Sequence, residues 1–181
     1  MRALCGDYVD CAQGDDMAGV RLPRLSTVSE PVVAVVSVRH PGVAELIDAL
    51  TIELAGGGYT EEETFGYSAE QLEASGVHLV GASLDEELVG IGGVELQADG
   101  LGELKRFYVD PAHRGRGVAD AMMSALVEYA TAHGVTTLRL ETGDQQRAAQ
   151  GFYARHGFEV VDRFPPYVDS ATSVCMSRSL A

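Results

Sequence analysis

The sequence predicts a domain of the α/β class in its α+β form: a mixed, mostly antiparallel central sheet with helices on both faces. Three observations predict it. Short β-branched and apolar runs follow one another as a meander through the middle of the chain. Several segments instead carry apolar residues at helical spacing. The second half alternates strand and helix twice, which mixes parallel with antiparallel neighbours and covers both sheet faces.

The elements follow in order. "VVAVVSV" (32–38) is β-branched and reads as a strand. After His40-Pro41-Gly42, Val43, Leu46, Ile47, Leu50 and Leu54 recur at i, i+3, i+4, i+7, the stripe of an amphipathic helix. "AGGGYTEEETFGY" is a loop and "SAEQLEAS" a short helix. "VHLVGAS" and "ELVGIGGVEL" are strands joined by an acidic turn at Asp85, and "LGELKRFYV" is a strand ended by Asp110-Pro111. The next helix puts Ala119, Met122, Met123, Leu126, Val127 and Ala130 on one face and closes at His133-Gly134. "TTLRLET" is a strand, "QRAAQGFYARH" a helix, and "GFEVVDR" and "TSVCMSRSL" are strands. Residues 1–30 show no sustained period and read as a poorly ordered extension before a domain at 31–181.

The 181 residues are enough for one domain with its own core. The formal net charge of -14 disfavours sequence-independent binding to nucleic acid or to an anionic membrane, which needs a basic face. A local basic patch can still hold one anionic ligand. Cys5, Cys11 and Cys175 form no metal pattern and cannot all pair, which fits a reduced compartment. With no membrane-length apolar run and no signal-peptide core, the expected location is cytoplasmic. His78 and His113 lack ligand spacing, so no metal is expected.

The most informative stretch is "VDPAHRGRGVADAMMSAL". A helix start leaves backbone N–H groups unpaired and carries partial positive charge. Gly115 and Gly117 remove side chains there, and Arg114 and Arg116 add charge, which suits a phosphate or a pyrophosphate spanning several amides. There is no G-x-x-x-x-G-K-[ST], and Asp120 stands where a dinucleotide fingerprint needs its third glycine or alanine.

"RGRGVA" (114–119) matches the [QR]-x-x-G-x-[GA] signature of the GNAT superfamily of N-acetyltransferases. "ELKRFYVDP" resembles that superfamily's preceding strand, and "GFYARHGFEVV" resembles its later "LYxxxGF" segment. The resemblance covers roughly residues 32–181. It implies that Arg114, Gly115, Arg116, Gly117, Val118 and Ala119 bind the pyrophosphate of acetyl-CoA. It also implies that the backbone at Phe107 and Val109 meets the pantetheine arm, which adds to a sheet edge where "LRLE" splays away.

The resemblance places Tyr153 near the CoA sulfur, where its phenol can protonate the departing thiolate or hydrogen-bond to it; the alternative is a tyrosine whose ring only packs in the core. Glu103, eleven residues before the signature, is the candidate base or substrate anchor; the alternative is a strand glutamate paired with Arg106 or Lys105. Glu141 lies at the mouth of the same cleft or is only a strand-terminal charge. Tyr59 and Tyr167, with Glu61, Glu62 and Glu63, flank the expected acceptor side, where acidic groups suit a cationic amine; the alternative is that "EEE" is only a solvated loop. A backbone N–H of "FYV" holds the oxyanion. Transfer is direct, so Cys175 is packing and not a nucleophile. Relatives carry an asparagine before the "LY" helix; here Gln145 or Gln146 substitutes, or the contact is missing.

The expected reaction is acetyl transfer from acetyl-CoA to a primary amine of a small molecule. Two other readings stay open: acetylation of a protein N-terminus or lysine, and a regulatory domain that binds acyl-CoA without catalysis. The architecture also leaves a homodimer open.

Overall fold

The computed structural model describes residues 29–57 and 66–180. The expected extension therefore lies, except for Ser29 and Glu30, outside the described residues, as do Tyr59, Glu61, Glu62 and Glu63.

The chain runs β1 (Val32–Val35), α1 (Pro41–Gly56), α2 (Ala69–Ala74), β2 (His78–Leu84), β3 (Glu87–Leu96), β4 (Leu101–Val109), α3 (Val118–Ala132), β5 (Thr137–Gly143), α4 (Arg147–Arg155), β6 (Glu159–Val160) and β7 (Ser173–Ser179). This is the element order the sequence predicts. The seven strands form one sheet in the order β1-β2-β3-β4-β5-β7-β6. Only β4 and β5 are parallel; every other neighbouring pair is antiparallel.

Each helix start follows from local chemistry. Pro41 opens α1, where its missing N–H costs nothing, and His40 Nδ1 accepts from the Gly42 N–H at 3.1 Å. Ser68 and Gln71 form a reciprocal capping box on α2. α3 starts at Gly117 with no side-chain cap at all.

Two strands are shorter than predicted. β1 ends at Val35 because the chain turns at Ser37–His40 into α1, with the His40 N–H on the Ser37 carbonyl. β6 keeps only Glu159–Val160 against β7. Beyond it the chain runs into Pro165-Pro166, which have no N–H to continue a ladder.

The core lies on both faces. Val118, Met122, Met123, Leu126 and Ala130 of α3 pack with Val80, Ala82, Val94, Leu104, Leu138 and Leu140 of the sheet. Val43, Leu46 and Ile47 of α1 and Leu72 of α2 pack with Leu79, Ile91 and Tyr108 on the other face. Each Val, Leu, Ile or Met side chain among them contributes about 1.5–3 kcal/mol by leaving water.

Two irregularities in β4 shape the cleft. First, Ile91 pairs with Tyr108 and Gly93 with Lys105, so Arg106 and Phe107 together oppose Gly92. This is a β-bulge, and Arg106 sits at φ 51° within it. Second, the β4–β5 pairing stops at Glu103 and Arg139. β5 stays paired with β7 as far as Gly143 and Ser173, so from Leu104 onward β4 and β5 part.

Candidate active site

The parting of β4 and β5 opens one continuous cleft. One end is walled by Tyr108, Val109, Arg114, Gly115, Gly117, Val118, Ala119 and Arg155. The other is walled by Gly66, Tyr67, Lys105, Arg106, Glu141, Tyr167 and Thr172. Leu50, Phe107, Gln146, Ala149 and Tyr153 line both ends and mark the junction.

At the first end the turn has the form its glycines require. Gly115 has φ 75° and Gly117 φ 81°, and a side chain at either would meet nothing within 4 Å. The space over the first turn of α3 is therefore open, and its uncapped N–H groups face a region suited to an anion. The arginines differ. Arg114 is engaged: its Nη2 is 2.7 Å from Glu53 Oε2, and its Nε donates to the Val109 carbonyl at 2.9 Å. Its charge is largely answered before any ligand arrives. Arg116 makes no ion pair with a described residue.

Tyr153 stands at the junction. Its ring packs edge-on against Phe107, Phe152 and Phe158, with centroids 6.1, 5.5 and 5.9 Å away. Its hydroxyl makes no hydrogen bond to a described residue. Burial first, and then the charge of Glu141, push the phenol well above its ordinary value. A phenol in that setting stays protonated and can donate.

Glu103 is buried, and four polar side chains surround its carboxylate. Lys105 Nζ lies 2.5 Å from Oε1, and the Tyr167 hydroxyl donates to the same oxygen at 2.8 Å. Gln97 Nε2 donates to Oε2 at 3.1 Å, and Arg139 Nε lies 3.4 Å from it. Of the two sequence readings, the pairing with Lys105 is therefore present, while Arg106 is not a partner. Tyr167 lines the cleft with its hydroxyl committed to Glu103; burial and that carboxylate push its phenol far up.

Glu141 is less encumbered. It lines the cleft and takes one described hydrogen bond, from the Ser173 hydroxyl at 2.6 Å. Burial raises its pKa most, and the charge of Glu103 adds to this; the Ser173 hydrogen bond and Lys105 oppose the rise. A carboxylate of raised basicity beside a cleft is equipped to accept a proton. Of the two glutamines left open by the sequence, Gln146 lines the cleft and Gln145 is exposed. Cys175 is buried in β7, and burial is the main cause holding its thiol up.

Sequence reasoning offered the Glu103–Lys105 pair but missed the wider network that adds Gln97, Arg139 and Tyr167, and the place of Arg106 and Tyr67 in the wall. The one sequence signal for it is "ELK": two opposite charges, i and i+2, inside an otherwise apolar strand. Among the described residues no group of three or more His, Cys, Asp or Glu side chains is arranged as for a metal ion. No described helix is long and apolar enough to cross a membrane.

Comparison with known proteins agrees with this architecture. The profile of the "Acetyltransferase (GNAT) family" matches residues 45–158. An IAA acetyltransferase of Azospirillum brasilense is 29% identical over 139 residues, which span 76% of this chain and 90% of that protein. The crystal structure of a putative acyl-CoA N-acyltransferase from Klebsiella pneumoniae superposes with a TM-score of 0.71 at 30% identity, over 83% of this chain and 98% of that one. The PaiA N-acetyltransferase of Thermoplasma acidophilum, solved in complex with coenzyme A, shares the fold at 20% identity, with a TM-score of 0.68 over 83% of this chain and 99% of that one.

Proposed function

The chain belongs to the acetyltransferase (GNAT) family and is an N-acetyltransferase, and on that premise we propose that it transfers the acetyl group of acetyl-CoA directly to a primary amine of a small molecule. The observation that carries this reading is the gap between β4 and β5. It starts beyond Glu103 and Arg139 and runs from the open glycine turn to Tyr153, whose hydroxyl has no hydrogen-bond partner among the described residues.

In this reading the amides from Gly115 to Ala119 take the pyrophosphate, with Arg116 adding charge. The edge of β4 from Phe107 to Val109, released from β5, offers backbone groups to the pantetheine arm as to an added strand. Gln146 lies beside that arm. Glu141 accepts the proton of the substrate ammonium, leaving a neutral amine. Nitrogen attack on the thioester carbonyl forms the C–N bond and a tetrahedral oxyanion, which a backbone N–H of β4 stabilises. When the C–S bond breaks, Tyr153 gives its proton to the thiolate sulfur and recovers one from the acetylated nitrogen. Glu103 acts at one remove, by holding Lys105 and Tyr167 in the acceptor wall. Much of the rate comes from bringing the two substrates together.

Thermal unfolding with acetyl-CoA, CoA and ATP, followed by free-thiol release with amines, tests the reading. A rise in midpoint with acetyl-CoA and CoA but not ATP, and thiol release with an amine, are expected. No shift with either CoA species at millimolar concentration refutes the cofactor assignment.

A further inference from the structure

The acceptor end of the cleft has a definite charge pattern. Lys105 lies between Glu103, at 2.5 Å, and Glu95, at 3.8 Å. Arg139 lies 3.4 Å from Glu103, donates to Gln97 at 2.7 Å, and rests 3.9 Å over the Phe164 ring. Two cations thus answer two carboxylates. Two charges in the cleft wall stand outside that balance: Glu141 and Arg106.

Arg106 is fixed in place. Its backbone lies at φ 51° in the bulge of β4. Its Nε donates to the Tyr67 carbonyl at 2.6 Å. Its guanidinium packs on Gly66 so closely that a Cβ there would fall 2.4 Å from Cζ. Yet its two terminal nitrogens make no hydrogen bond and no ion pair within 4 Å to any described residue. The acidic group that acts on it is Asp48 of α1, at a distance and exposed. The guanidinium remains charged, since no protein environment deprotonates it. A half-buried, oriented guanidinium whose outer nitrogens no described residue answers is the group of choice for a carboxylate, which it binds through two parallel N–H donors.

We infer that the acceptor carries a carboxylate as well as its amine, with Arg106 holding the carboxylate while Glu141 faces the ammonium. An amino acid or a similar zwitterion complements both charges. It also approaches a chain of net charge -14 without net repulsion, unlike a plain anion. This inference rests on the acetyltransferase reading of the cleft.

The test measures thiol release from acetyl-CoA with a panel of common amino acids, their carboxamides and the matching decarboxylated amines. With the wild-type chain we expect kcat/KM at least tenfold higher for one or more acids than for the corresponding carboxamide and amine. In Arg106→Gln the acid-to-carboxamide ratio should fall toward one, mainly through KM for the acid. The acetyl-CoA-induced rise in unfolding temperature should persist, which shows that the variant is folded. Arg106→Lys should recover part of the ratio. Three results overturn the inference: equal or better turnover of the neutral-ended amines, a ratio unchanged in Arg106→Gln, or no turnover of any acid while acetyl-CoA still stabilises the fold. The acetyltransferase reading fails separately, by loss of that stabilisation.

Discussion

Replacing Tyr153 with phenylalanine separates chemistry from structure unusually well at this site. The ring is held by Phe107, Phe152 and Phe158, and those contacts survive the change. The hydroxyl has no described hydrogen-bond partner, so no bond of about 1 kcal/mol is lost and no buried partner is orphaned. Stability should therefore stay within about 0.5 kcal/mol of wild type. Catalysis should not. Burial and Glu141 hold the phenol above its ordinary value, so the proposed reaction has a protonated hydroxyl available for the leaving sulfur. Removing a general acid costs about 100-fold in rate, which is about 2.7 kcal/mol of barrier. The assay pairs urea unfolding with steady-state thiol release, and adds the acetyl-CoA-induced shift in unfolding temperature as a check on cofactor binding. Unchanged stability and shift with a kcat loss near 100-fold is the expected outcome. Full kcat in the folded variant refutes the assignment of Tyr153 as acid. A loss of stability above about 1 kcal/mol refutes the statement that its hydroxyl has no partner.

Three further changes test other parts of the site. Gly117→Ala should cost about 1 kcal/mol of stability, because φ 81° strains any residue with a Cβ although nothing lies within 4 Å; Gly117→Glu should add at least a tenfold loss of acetyl-CoA affinity by isothermal titration, through its negative charge. Lys105→Met leaves the Glu103 carboxylate buried without its nearest cation and should destabilise by about 3 kcal/mol in urea unfolding; a change below about 1 kcal/mol would mean that Tyr167, Gln97 and Arg139 suffice. Glu141 has a raised pKa when folded, so the folded chain keeps a proton that the unfolded chain releases above the ordinary 4.5, and this group's contribution weakens stability as pH rises through that window. Glu141→Gln should accordingly gain stability relative to wild type from acid to neutral pH, while losing the rise of kcat/KM with pH that marks the proton acceptor.

The network around Glu103 also explains why the acceptor wall holds its shape. The carboxylate gathers residues from β4, β5, the connection after β3 and the segment before β7 around one buried point. Four polar side chains meet at that carboxylate and tie those segments together, although the buried Arg139 Nε itself has no hydrogen-bond partner among the described residues. This arrangement is what the proposed reaction uses when it gives Glu103 a placing role and Glu141 the proton transfer.

The sequence by itself determined the element order, the faces of the helices and the glycine turn. These rest on local rules: period-2 and period-3.6 patterning, capping residues within three positions, and glycines where φ is positive. The place of Tyr153 at the cleft was also legible, through the resemblance of "GFYARHGFEVV" to a segment of the superfamily. The resemblance implied that "LRLE" splays away from β4, but the point of parting, after Glu103 and Arg139, is a property of the packed chain, in which β5 follows β7 as far as Gly143 and Ser173. The tertiary structure also decided which charges are answered. Tyr167 meets Glu103 across 64 positions and Arg139 meets Gln97 across 42, distances over which sequence spacing carries no geometry. Packing then put three charges in different surroundings: Glu103 among four polar side chains, Glu141 lifted in pKa with one described hydrogen bond, and Arg106 held with its outer nitrogens unanswered by any described residue. A charge's role depends on its partners and its access to water, and both are properties of the packed chain.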